Sequence, residues 1–120
     1  MLETDLVRLR HMLDACREAL SFVKERKQSD LCTDRMLLLS LVKEIEIIGE
    51  AATQVSDPCR CDFPEIPWED ITGMRHRLVH AYFDMDAKIV WRTVLDDLPP
   101  LVQTLEKAIP AEPDVCIVPQ

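Results

Sequence analysis

The amino-acid sequence predicts an all-α protein: an up-and-down bundle of four to five helices over residues 1–109, ending in a proline-rich tail at 110–120. Three observations predict it. Apolar residues make up 48% of the chain but aromatics only 5%, with two glycines, a composition that does not suit a sandwich or barrel. Apolar residues recur at helical spacing in long runs. Prolines and aspartates stand where those runs stop or start. At 120 residues one domain is expected, with one small core.

The first helix carries Leu2, Leu6, Leu9, Leu13, Cys16, Leu20 and Val23, spaced alternately by four and three, with charged residues on the other faces. It is expected to end near Lys27-Gln28, with basic residues at its negative end. A second helix begins around Asp30 to Asp34. Its buried stripe is Leu38, Leu41, Val42, Ile45, Ile48, Ala52 and Val55, widened by Leu37, Leu39 and Ile47. A helix apolar on two sides sits between neighbours or in a subunit interface. Gly49, Ala51 and Ala52 offer small surfaces for another backbone. Residues 57–67, with three prolines, read as a loop. Pro67 then opens a third helix expected to run to about residue 83, with Glu69 and Asp70 at its positive end. Asp84 or Asp86 caps a last helix, which Pro99-Pro100 must kink or break.

Charge and cysteines narrow the function classes. The net charge of −8 argues against a non-specific nucleic-acid binder but leaves room for a local basic site. Between residues 71 and 92 four basic residues oppose two aspartates. The five cysteines are odd in number, and neither a signal peptide nor a membrane span is read, so a reduced cytoplasmic setting is expected. Cys59-Arg60-Cys61 lacks a second ligand pair at zinc-site spacing and reads as loop cysteines.

The chemistry concentrates in Arg75-His76-Arg77-Leu78-Val79-His80-Ala81-Tyr82. On a helical wheel of about 100° per residue, Arg75 falls on the apolar stripe of Ile71, Leu78 and Tyr82. His76, His80 and Phe83 cluster a third of a turn away, and Arg77 faces solvent. A permanently charged guanidinium on an apolar face must be paired, or must line a cleft or interface. It could pair with Glu46 or Glu50. His76 and His80 have the spacing of two metal ligands, but no carboxylate motif accompanies them. The set also suits RNA cleavage without metal. Histidine moves protons near neutral pH, and the arginine fork holds a phosphorane. A two-fold dimer would bring two copies of this thin site together.

Arg75-x-x-x-x-His80-x-Tyr82 resembles the Arg-x-x-x-x-His-x-Tyr motif of HepT-like toxins in the HEPN superfamily. The flanks are similar too: Ile48-Gly49-Glu50-Ala51-Ala52, Phe63-Pro64-Glu65-Ile66-Pro67-Trp68, Ile71-Thr72-Gly73-Met74, Ile89-Val90-Trp91 and Leu98-Pro99-Pro100-Leu101. The resemblance implies a HEPN-like bundle that dimerises, and a metal-independent endoribonuclease needing no cofactor, with Arg75 and His80 as the catalytic pair. It implies a partner, a minimal nucleotidyltransferase (MNT) antitoxin that transfers AMP to Tyr82. His76 stands where the family often has asparagine and could act as a second acid. Ala81 stands in place of the usual glycine. Two other readings use the same residues: a non-catalytic module binding nucleotide or a partner, and a structural subunit of a larger assembly.

Overall fold

The computed structural model describes residues 1–74, 79–81 and 84–110, with 79–81 and 84 as backbone. Helices dominate it, as the composition predicts. Helix α1 spans Glu3–Phe22, α2 Asp30–Thr33, α3 Arg35–Thr53, α4 Asp57–Asp62 and α5 Trp68–Thr72. A short antiparallel pair follows, β1 (Val79–Ala81) and β2 (Asp84–Met85). Then come α6 (Ala87–Arg92), a π-helical turn (Thr93–Asp97) and α7 (Leu98–Ala108). No helix among the described residues is long and apolar enough to cross a membrane.

Helix α3 is the centre. Every residue of its expected stripe, from Leu38 to Val55, is buried, and Leu37 is buried with them. It packs on α1, α2, α5 and α6, so its two-sided apolar surface is used within one chain. Leu39, at the margin, stays partly exposed. Asp34 caps α3, its Oδ1 accepting from the Leu37 N–H at 3.1 Å.

Helix α1 lies antiparallel to α3, because Asp5 in its first turn meets Ser56 just beyond the end of α3. Its deepest line is Asp5, Leu9, Met12, Cys16, Ala19 and Val23, rotated from the leucine seam read in the sequence. Leu2 is exposed, and Leu6 and Leu20 are half-buried. The small Ala15, Cys16 and Ala19 are buried on this helix together with the larger Leu9, Met12 and Leu13. The helix also ends earlier than expected, at Phe22. Glu25 turns left-handed at φ 62°, and Arg26 bonds Asp30 and Asp34 at 3.3 and 2.8 Å instead of the last carbonyls of α1.

Two expectations are corrected. Residues 57–62 are helical rather than loop: Ser56 accepts from the Cys59 N–H, and Pro58 fits a first turn where its missing donor costs nothing. Cys59 points into the core and Cys61 outward. The third helix does not run to residue 83. It stops at Thr72, where Gly73 closes it by donating to Glu69, and residues 79–81 and 84–85 are extended. A glycine inside a helix costs about 1 kcal/mol relative to alanine, which makes Gly73 a natural stop. The last helix begins under an Asp86 cap, as one of the two expected aspartates requires. The α-helical run is interrupted ahead of Pro99 and Pro100, as those prolines require. The π turn widens the backbone ahead of them, and they form the first turn of α7.

Two buried carboxylates act in opposite directions. Asp5 accepts from the Ser56 N–H (2.8 Å) and hydroxyl (2.6 Å), which hold its carboxyl below the ordinary range. Glu44 on α3 is buried against Glu18 of α1; burial first, then that second carboxyl, pushes it up from 4.5 to about 7. A lowered pKa gives stability above the ordinary aspartate value that is lost as pH falls through the folded one. A raised pKa gives stability that is full below the ordinary glutamate value and lost as pH rises through about 7. Asp5→Asn should therefore cost about 1.5–3 kcal/mol at neutral pH, read by urea denaturation. Glu44→Gln should raise the melting temperature at alkaline pH and flatten its fall between acid and neutral conditions. A variant whose melting curve tracks the wild type across that range would contradict it.

Candidate active site

The approach to the motif is held by α3 and α4. A Cβ at Gly49 would sit 3.2 Å from the Ile71 carbonyl oxygen, so only glycine lets the α5 backbone lie this close to α3. Trp68 opens α5, and its Nε1–H donates to the carbonyls of Arg60 (3.2 Å) and Phe63 (3.1 Å). The Arg60 guanidinium lies 5.7 Å from the centre of the Trp68 ring and donates to the Ala52 carbonyl at 2.8 Å. Ile66, Ile71 and Met74 are buried beneath. The Ile48–Ala52 and Phe63–Trp68 segments, far apart in sequence, thus brace one another and deliver the chain at Met74 in a set position.

Of the predicted site residues, His80 lies on β1 by its backbone. Arg75, His76 and Tyr82 lie outside the described residues, as do Arg77 and the tail from 111. The helical-wheel placement of His80 does not hold, because its backbone is extended rather than helical.

Two grooves flank this scaffold. One, of about 260 Å³, adjoins Ile71 and Met74 and is lined by the carboxylates of Glu65, Asp70, Asp96 and Asp97. No lysine or arginine among the described residues lines it; of the four basic residues counted over 71–92, Lys88 and Arg92 stand exposed, and Arg75 and Arg77 lie outside the described residues. The other, of about 590 Å³, runs along the α1–α3 seam and gathers Arg8, His11 and Lys43 with Glu46 and Glu50. Glu46 and Glu50, the proposed partners of Arg75, therefore face one groove together. The sequence reading missed the basic members because Arg8, His11 and Lys43 come from two helices and share no local pattern.

The profile of the family described as "Ribonuclease HepT-like" matches residues 12–108. Among similar proteins, one of Thermococcus cleftensis named as a probable ribonuclease HepT is 36% identical over 72% of this chain and 78% of its own. A protein of Caldanaerobacter subterraneus subsp. tengcongensis, named provisionally as an RNase, is 33% identical over 87% of this chain and 93% of its own. Another of Methanocaldococcus jannaschii, also provisionally named an RNase, is 29% identical over 79% and 87%. No solved structure gives a match.

Gly49→Val should lower stability by about 1–3 kcal/mol through overpacking against the Ile71 carbonyl, measured by thermal melting. Gly49→Ala should cost less, because alanine recovers helix propensity while its Cβ displaces that carbonyl by only a few tenths of an ångström. Equal melting temperatures for Gly49→Val and the wild type would show that the two backbones can separate freely.

Proposed function

The chain belongs to the HepT-like ribonuclease family, and from that premise we propose that it is the toxin of a type VII toxin–antitoxin pair, a metal-independent endoribonuclease acting as a homodimer. The observation that carries this reading is Arg75-x-x-x-x-His80-x-Tyr82 inside the matched segment 12–108. In the proposed reaction His80 withdraws the proton of a ribose 2′-OH. The 2′ oxygen attacks the adjacent phosphorus, and Arg75 holds the equatorial oxygens as charge builds on them. The 5′ oxygen leaves and takes a proton, with His76 as candidate donor. The products are a 2′,3′-cyclic phosphate and a 5′-OH. Two copies across a two-fold seam would double a site that one chain supplies sparsely.

Silencing falls to an MNT-type nucleotidyltransferase antitoxin. AMP on the Tyr82 oxygen places bulk and a negative phosphodiester beside Arg75 and His80, where the RNA phosphate would enter. A second reading, a non-catalytic module binding nucleotide or a partner, is favoured by one observation: the groove beside Met74 carries four carboxylates, which repel phosphate.

Incubation of the purified protein with RNA in EDTA tests the first reading. Wild type should cleave. His80→Ala should lose about 10²–10⁴-fold in rate, and Arg75→Ala about 10²–10³-fold. Equal cleavage by all three would sink the assignment, and no cleavage by the wild type with tight nucleotide or partner binding would favour the second. Tyr82→Phe should retain cleavage but accept no labelled AMP from the antitoxin; label persisting on it would move the acceptor elsewhere.

A further inference from the structure

Glu44 of α3 and Glu18 of α1 meet across the seam between the two long helices. Glu44 is 5% exposed, and its carboxyl is hydrogen-bonded to that of Glu18. Two ionised carboxylates offer only acceptors, so this contact needs a proton between them. No other cation replaces that proton. The titratable groups facing the pair from α1 are His11 and Asp14 in a groove of about 220 Å³ above it, and the buried Cys16 thiol, which feels the Glu44 charge. No lysine or arginine among the described residues lines that groove, and no charged group of α2, α5 or α6 does. Arg17 is held by Glu106 of α7 at 3.0 Å, and Lys43 leans toward Glu46 at 3.9 Å. Burial, then the second carboxyl, raises Glu44 from 4.5 to about 7.

We propose that Glu18 and Glu44 form a proton-operated latch between α1 and α3. One shared proton holds the helices together. When it leaves, two carboxylates face each other in a buried contact, and the middle of α1 opens locally from α3. The start of α1 stays fastened, because Asp5 is held by donors of Ser56 that this titration does not touch. In the open state Glu44 is an ordinary glutamate, so opening releases a proton between its ordinary value of 4.5 and its closed-state value of about 7. Opening therefore grows as pH rises across that window, by up to about tenfold per pH unit, and levels off above it. The latch is independent of the ribonuclease reading.

Iodoacetamide labelling of the full chain, followed by peptide mass spectrometry, reads the opening, with Cys16 as reporter. Each rate is divided by that of the urea-unfolded chain at the same pH, which removes the ionisation of the thiol itself. From about pH 5 to about pH 8 the corrected Cys16 rate should rise on the order of a hundredfold. At the upper pH it should exceed that of Cys59, buried beside Ser56, by about tenfold or more and stay insensitive to low urea, as local opening does. Equal corrected rates for the two thiols would leave only global unfolding and overturn the latch. Glu44→Gln should abolish the rise, because an amide donates to Glu18 at every pH. Glu18→Gln tests the same contact from the other helix and should shrink the rise, since its amide meets the ionised Glu44. His11→Gln and Asp14→Asn should keep it. A rise that persists in both glutamate variants would overturn the latch. So would its loss in His11→Gln, which would hand the titration to the imidazole, or in Asp14→Asn, which would reduce it to the charge of the groove.

Discussion

The close approach of α5 to α3 at Gly49 is the constraint on which the rest of the arrangement depends. One missing side chain lets the Ile71 carbonyl rest against α3. That contact sets where α5 ends, and hence where the chain enters the Arg75–Tyr82 stretch. The Trp68 indole, fastened to the carbonyls of Arg60 and Phe63, fixes the other end of the same short helix. Five residues of helix have little stability of their own. Their order comes from what holds them: the close approach at Gly49 of α3, and the carbonyls of Arg60 and Phe63 that receive the Trp68 indole.

The same central helix gathers the charged groups that matter. It packs on α1, and Glu44 is buried there with the Glu18 carboxyl of α1 beside it. Burial and the Glu44 carboxylate together push the Cys16 thiol up to about 12, which leaves it an inert core residue rather than a reactive one. Asp5 solves the opposite problem. It is buried at the far end of the seam with both oxygens satisfied by Ser56, and so ties the start of α1 to the start of α4. One carboxylate is held ionised by two donors, and the other is pushed toward its neutral form by burial and by the Glu18 carboxyl beside it.

Hydrophobic periodicity reads well where one face meets one neighbour across large side chains. The α3 stripe is legible for that reason, as are the Asp86 cap and the role of the small residues at Gly49. It reads less well on α1, where small residues are buried among large ones and the seam is rotated toward Met12, Ala15 and Ala19. It fails where a polar group replaces a core residue, as at Asp5 and Glu44, because polarity in a helix pattern ordinarily means solvent. The extended backbone at 79–81 was illegible for a different cause. Val79 continues the run of apolar residues at helical spacing, and a strand of three residues is too short to show an alternation of its own. The Arg8, His11 and Lys43 groove needed two helices placed side by side before its members became neighbours.

By itself the sequence determined the helical class, the order and approximate bounds of the long helices, the buried stripe of α3 and the family of the chain, because each depends on local spacing or on a linear pattern of residues. Only the tertiary structure decided which polar groups are buried, which charges share a groove, and how closely α3 admits α5. Those depend on distances between segments far apart in the chain, and no local pattern encodes such a distance.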